Sequence, residues 1–188
     1  MKLSNPPFDL ISQLSSGKFG QYFKKICIPK KRILLVPDEV NHKIYFIEKG
    51  LMRCYYYANG EEITSWLACE NNIICSMASF FTQKPSNEYI ETLEESIAWE
   101  ISFESLSKCQ ETNHDVPISN SLLLKEIIEQ FDKITMILRH LAPDERYLFM
   151  LNNYPNIVHR TPLKYLSSYL GMAPSTTSRI RTTLMKHE

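Results

Sequence analysis

The chain has 188 residues and a mass of 22.0 kDa, 44% of it hydrophobic residues with no low-complexity run, enough to bury a core in one large or two small domains. Its 21 Lys/Arg balance 21 Asp/Glu, but the neutrality conceals two parts: from Pro155 onward five Lys/Arg face one acid, a net +4, while residues 1–154 carry −4. The five cysteines, odd in number and irregularly spaced, suit neither a secreted disulfide framework nor paired zinc knuckles.

Residues 1–7 contain no apolar h-region, and the longest charge-free stretch in the middle of the chain, Asn71 to Gln83, is far short of the roughly 20 residues that span a bilayer. A cytoplasmic protein without a membrane segment is expected. A short helix is expected over Pro6 to Gln13, followed by β-patterned sequence. Strands are predicted at Lys24 to Ile28, Arg32 to Val36, Ile44 to Ile47, Met52 to Tyr57, Ile63 to Leu67, Ile73 to Ser76, Tyr89 to Thr92 and Ile97 to Ile101. Lys49-Gly50 and Asn59-Gly60 punctuate them, the second being a strong hairpin signal. Short strands at roughly ten-residue spacing indicate a sandwich or barrel. A further short helix is expected over Phe103 to Thr112.

Near residue 118 the period changes. With Leu124 as position a, the heptad places Leu124, Phe131 and Leu138 at a and Ile127, Ile134 and Leu141 at d, so every seam position over three heptads is apolar. Lys125, Glu129 and Lys133 lie outward at four-residue spacing. Ile128 and Ile137 widen the stripe, which predicts that one part of the helix meets a partner helix and the rest lies on the β domain.

Thr161-Pro162 offers a capping hydroxyl followed by a proline at a first helical position, so a helix is expected to start there. Leu163, Leu166 and Leu170, with Tyr169, recur at helical spacing, and Gly171 supplies the left-handed residue that ends the helix. Pro174 opens a second helix whose Thr177, Ile180 and Leu184 share a face. Ser175, Thr176, Ser178, Arg179, Arg181 and Thr182 fall on the other face, which carries donors and no acid. Two short helices around a tight turn, in the basic part of the chain, read as a helix-turn-helix whose second helix contacts DNA.

The string from Leu163 to Gly171 followed by Met172 to Arg181 resembles the C-terminal helix-turn-helix of the Crp/Fnr superfamily of bacterial transcription regulators. Asp144-Glu145-Arg146-Tyr147-Leu148 and Tyr154-Pro155 resemble the linking helix of a divergent branch whose sensor domains lack the usual nucleotide-binding residues. The hairpins from Lys43 to Leu67 resemble the family's cyclic-nucleotide-binding β-roll. The resemblance implies an α+β chain: a jelly-roll-like sensor over residues 1–117, a dimerisation helix over 118–142 and an all-α helix-turn-helix domain over 143–188. It also implies a homodimer joined through Leu124, Ile127, Phe131, Ile134, Leu138 and Leu141, presenting two helices to successive major grooves of a roughly palindromic site. Double-stranded DNA is the implied partner, RNA polymerase a further one. Carried over position by position, Pro174, Ser175 and Arg179 face bases, Arg179 with the two donors that suit guanine O6 and N7. Thr176 matches a phosphate-contacting position, Lys164 and Arg181 are backbone contacts, and Ser178 lies on the same face.

In the family, cyclic nucleotide is held by a short helix opened by Gly-Glu and by an Arg that pairs with the phosphate. This chain reads Ile73-Ile74-Cys75-Ser76-Met77-Ala78-Ser79-Phe80-Phe81 and then Ser86-Asn87-Glu88-Tyr89, with neither feature. Glu88 repels a phosphate, so cyclic AMP and cyclic GMP are not expected to bind tightly. Ser76, Met77, Asn87 and Tyr89 are the candidates for lining the pocket, and its effector is left open. Two other classes stand beside this reading. A cupin-like metalloenzyme needs a His-x-His cluster, but His42, His114, His140, His159 and His187 are scattered. No nucleophile elbow or phosphate loop occurs either, so no catalytic residue, metal or cofactor is assigned. A sensor or assembly module that binds another protein or a small ligand, without sequence-specific DNA binding, is the alternative.

Overall fold

The computed structural model describes residues 20–112 and 120–184; the side chains of residues 110, 112, 120–127 and 130 are outside that description, as is the helix expected over Pro6 to Gln13. In chain order the strands are β1 (Lys24–Ile28), β2 (Ile33–Leu35), β3 (Lys43–Lys49), β4 (Met52–Ala58), β5 (Glu61–Ala68), β6 (Ile73–Ile74), β7 (Tyr89–Thr92) and β8 (Ser96–Ser102). They form two antiparallel sheets, ordered β1-β8-β3-β6 and β2-β7-β4-β5. All eight expected strands are present.

The apolar run of β3 explains how the layers stack. Successive side chains of a strand point to opposite faces, so Tyr45 and Ile47 enter the core between the sheets with Met52, Cys54, Ile74, Ile90 and Ala98. Ile44 and Phe46 face the other way, against Phe80 of α1 (Met77–Thr82) and Leu106 and Cys109 of α2 (Phe103–Thr112). A strand buried on both faces reads as continuous rather than alternating apolar sequence. Each such side chain removed from water contributes about 1.5–3 kcal/mol.

Turn chemistry fixes the register of the second sheet. Asn59 (φ 52°) and Gly60 (φ 81°) are both left-handed between the paired residues Ala58 and Glu61, the two-residue loop whose twist matches its strands. Gly50 (φ 119°) joins β3 to β4 where a Cβ would lie 2.2 Å from Ser96 Oγ, so a side chain has neither the backbone conformation nor the room.

Five helices follow: α3 (Asn120–His140), α4 (Pro143–Asn153), α5 (Pro155–Arg160), α6 (Leu163–Tyr169) and α7 (Pro174–Leu184). They share a third core with the β domain, in which Leu51, Leu67 and Leu93 pack with Tyr147, Met150, Ile157, Val158, Leu166, Tyr169 and Leu170. On α3, Ile137 is buried and Ile134 and Leu138 half-buried, whereas Ile128 and Phe131 are exposed. The side chains of Leu124 and Ile127 lie outside the described residues, and Leu141 sits half-buried just past the helix end. Part of the expected seam thus turns toward its own chain and part is uncovered.

The start of α6 differs from the expected cap. Pro162 occupies the N-cap and receives the first helical hydrogen bonds on its carbonyl, while the Thr161 hydroxyl is buried with no partner among the described residues. Thr161 instead ends α5, its N–H donating to the Ile157 carbonyl at 2.9 Å, so the backbone there serves the preceding helix. The exit from α6 follows the expected glycine: Gly171 has φ 63°, Met172 N–H donates to Ser167 O at 2.9 Å and Gly171 N–H to Ser168 O at 3.1 Å. Arg146 Nη1 donates to the Leu170 carbonyl at 3.0 Å, tying α4 to this turn.

Candidate nucleic-acid interface and ligand cavity

Helix α7 is anchored on one side and open on the other. Thr177 is fully buried, and Ile180 and Leu184 pack on the third core, which holds the helix at successive turns. Ser175, Ser178, Arg179 and Thr182 are exposed, and Thr176 and Arg181 half-buried. Arg179 forms no ion pair among the described residues. Arg181 lies close enough to Tyr147 to offset part of the upward push that burial gives its phenol. No acid occurs between Leu163 and Leu184, so the open face presents hydroxyls and a guanidinium to solvent.

The other expected backbone contact, Lys164, is exposed but already engaged: its Nζ lies 3.5 Å from Glu62 Oε1 on β5. It belongs to a polar seam where α6 rests on the outer face of the second sheet. Thr64 N–H donates to Ser168 Oγ at 2.9 Å, and Ser168 Oγ lies 3.2 Å from the Glu62 carbonyl, to which it donates. Beneath them Arg53 of β4, only 2% exposed, donates to Glu62 at 2.9 Å and to Glu91 at 2.7 Å. Its guanidinium carbon is 4.0 Å from the centre of the Tyr55 ring and 3.5 Å from that of Tyr165 on α6, so two aromatic faces sandwich the cation.

Burial alone would favour losing the Arg53 charge, but the two carboxylates outweigh it and stabilise the cation. Burial likewise works against Glu62 ionisation, and Arg53 with Lys164 holds its carboxyl below the usual range. A second clamp joins Arg160 of α5 to Glu70 (2.6 Å) and Glu94. Burial opposes Glu70 ionisation too, and the Arg160 and Gly50 N–H donors hold its carboxyl low.

The β domain holds a cavity of about 330 Å³ bounded by the second sheet, α1, the segment before β7, and α3. Ser76, Met77 and Asn87 line it as the sequence suggested; Tyr89 does not. Alternation along the strand is the reason: Ile90 points into the core, so Tyr89 is on the outer face, stacked on Tyr55 with centroids 4.7 Å apart. Glu88 does line the cavity, its carboxylate accepting hydrogen bonds from Ser65 Oγ (2.8 Å) and Ser76 Oγ (2.7 Å). Ser86 Oγ accepts from Glu88 N–H and donates to Ser76 Oγ, both at 2.9 Å. Burial, and then the charge of Glu88, push the neighbouring Cys54 and Cys75 thiols well above their ordinary range, so they are protonated apolar walls rather than nucleophiles. Trp66 and Phe131 close another side with ring centroids 5.0 Å apart.

Sequence reasoning missed Arg53, Tyr165, Ser168 and Trp66. The available signal was Arg53, a single charge within the apolar Leu51 to Tyr56, since a charge in a core strand must find partners. Among the described residues no three His, Cys, Asp or Glu side chains are grouped to hold a metal, and no helix is long and apolar enough to cross a membrane.

Residues 25–113 match the family model of the cyclic nucleotide-binding domain. No curated protein matches the chain. Solved structures of similar fold include a CooA mutant from Carboxydothermus hydrogenoformans (15% identity, 96% of this chain and 86% of that one, TM-score 0.72). FixK2 from Bradyrhizobium japonicum is similar over 88% of this chain and 85% of its own, at 14% identity and TM-score 0.73. A transcriptional regulator of the Crp/Fnr family from Eubacterium rectale covers 96% of this chain and 88% of its own, at 15% identity and TM-score 0.68. The fold is therefore a cyclic-nucleotide-binding-type β domain followed by helices, in the arrangement found in such regulators.

Proposed function

We propose that the chain is a transcription regulator of the Crp/Fnr type that binds a roughly palindromic DNA site as a homodimer. The observation that carries the reading is α7: one face docked on the core through the buried Thr177 and the half-buried Ile180 and Leu184, the other acid-free with Arg179 exposed and unpaired among the described residues. Two such helices in a dimer would enter successive major grooves about 34 Å apart. The division would be a sensor over residues 1–117, a dimer helix over 118–142 and a reading head over 143–188. Arg179 and Ser175 would read base edges, with Thr176, Ser178, Arg181 and Lys164 on the phosphates. The exposed Ile128, together with the 43% of Phe131 that its stacking on Trp66 leaves open, would form the seam.

The β domain would act as the sensor without tight binding of cyclic nucleotide, because the cavity presents Glu88 where a phosphate needs a cation. Calorimetric titration with cyclic AMP is expected to show no micromolar binding; such binding would overturn this part of the reading.

The principal test is selection of fragmented genomic DNA on the protein. An enriched palindrome is expected, with Arg179→Ala costing about 1–3 kcal/mol on the selected site and relaxing its sequence. Lys164→Ala should weaken all sequences alike and flatten the salt slope by about one unit. Absence of an enriched site, or binding indifferent to salt, would refute the assignment.

A further inference from the structure

The cavity beside α1 has a charge opposite to that of a phosphate site, and its polar groups are organised rather than incidental. Among the described residues that line it there is no Lys, Arg or His, and Glu88 is the one ionic side chain. Ser65 and Ser76 each donate to one of its oxygens, which fixes the carboxylate from two sides, and Ser86 Oγ accepts the Glu88 backbone N–H, which holds the main chain beneath it. A carboxylate offers about four acceptor positions, and the two hydroxyl donors occupy two of them.

No cation pairs with Glu88 among the described residues. Another part of the wall is aromatic, with Trp66 and Phe131 stacked at 5.0 Å and 28°. Fixed carboxylate, aromatic faces and protonated thiols within about 330 Å³ are the elements of a site for an organic cation. Volume would admit many small metabolites; charge selects among them.

We infer that this cavity binds a small organic ammonium compound, its charged nitrogen on Glu88 and its apolar body against Trp66 and Phe131. The inference rests on the reading of the β domain as the sensing half, and it assigns that half a ligand class. Phe131 belongs to α3 and Glu88 directly precedes β7, so one ligand would touch both the proposed dimer helix and the sheet on which α6 rests.

Three isosteric probes isolate the charge: benzylammonium, benzyl alcohol and benzoate, each titrated into the full chain at constant ionic strength and followed by calorimetry and tryptophan fluorescence. Benzylammonium is expected to bind saturably and at least about tenfold more tightly than benzyl alcohol, with no saturable binding of benzoate. In Glu88→Gln, which keeps the shape and the acceptor oxygen, the preference for cation over alcohol should disappear.

Equal binding of cation and alcohol, tighter binding of benzoate or cyclic AMP, or no saturable binding of benzylammonium would each overturn the inference. So would an unchanged preference in a folded Glu88→Gln. If that variant fails to fold, the wild-type comparison of the three probes still decides. Failure here leaves the genomic selection unaffected, since that assay reads α7. Tight cyclic AMP binding, in contrast, would count against both the inference and the reading of the sensor.

Discussion

Arg53 is where residue chemistry matters most to the stability of this chain. A guanidinium at 2% exposure persists because Glu62, Glu91 and two aromatic rings together replace its lost hydration. Arg53→Met would leave Glu91 without its cation and Glu62 with only the exposed Lys164, and is expected to cost about 3–5 kcal/mol in denaturant unfolding. Gly50→Ala should cost roughly 1–3 kcal/mol by the same measurement, from its left-handed backbone and from the contact with Ser96. The glycines at 50, 60 and 171 were legible because their role is local: each lies between recognisable elements and needs positive φ. The Arg53 partners were not legible, because strand register and a bulge between Cys54 and Tyr55, rather than spacing, bring Glu62 and Glu91 beside it. Thr161 shows the same limit: its hydroxyl suits a cap, but the close succession of α5 and α6 gives that backbone to the earlier helix.

Elements were more legible than residues. Short β-branched and aromatic runs gave all eight strands, because burial on one or both faces writes itself into local sequence. The break between α4 and α5 was less visible, since Pro155 opens α5 directly after α4 and the two read as one linking segment. For α3 the heptad located the helix but not its rotation. Among the described side chains of α3, Ile137, outside the a/d set, is the buried one, while Phe131 at a remains 43% exposed. If the uncovered side is a dimer seam, Ile128→Glu should shift the chain to monomer in sedimentation equilibrium. Its monomer stability should change little, because Ile128 is 63% exposed. A wild-type chain that is already monomeric at micromolar concentration would contradict the seam.

For the whole molecule, the notable feature is how the helical half is held. Arg160 with Glu70 and Glu94 clamps α5 to the β domain, while Arg53, paired with Glu62 and Glu91 inside the second sheet, reaches α6 through the Tyr165 ring, and Lys164 of α6 pairs with Glu62. Glu62 and Glu70 have depressed folded-state values, so their contribution is complete above the unfolded carboxylate value of about 4.3 and is lost as pH falls through the folded values. Thermal unfolding should therefore weaken below about pH 4, and Glu70→Gln should be less stable at neutral pH but flatter in acid. A wild-type midpoint unchanged from pH 6 to pH 3 would show that these clamps contribute nothing. The sequence by itself determined the strands, their turns, the long helix and the basic helix pair, because each follows from the period and composition of a short segment. Tertiary structure alone decided that α6 lies against β5, that Arg53 binds across the two halves, and that Glu88 and Trp66 share one cavity with Phe131. Those pairings join residues dozens of positions apart, where packing and register, not local pattern, set which side chains meet.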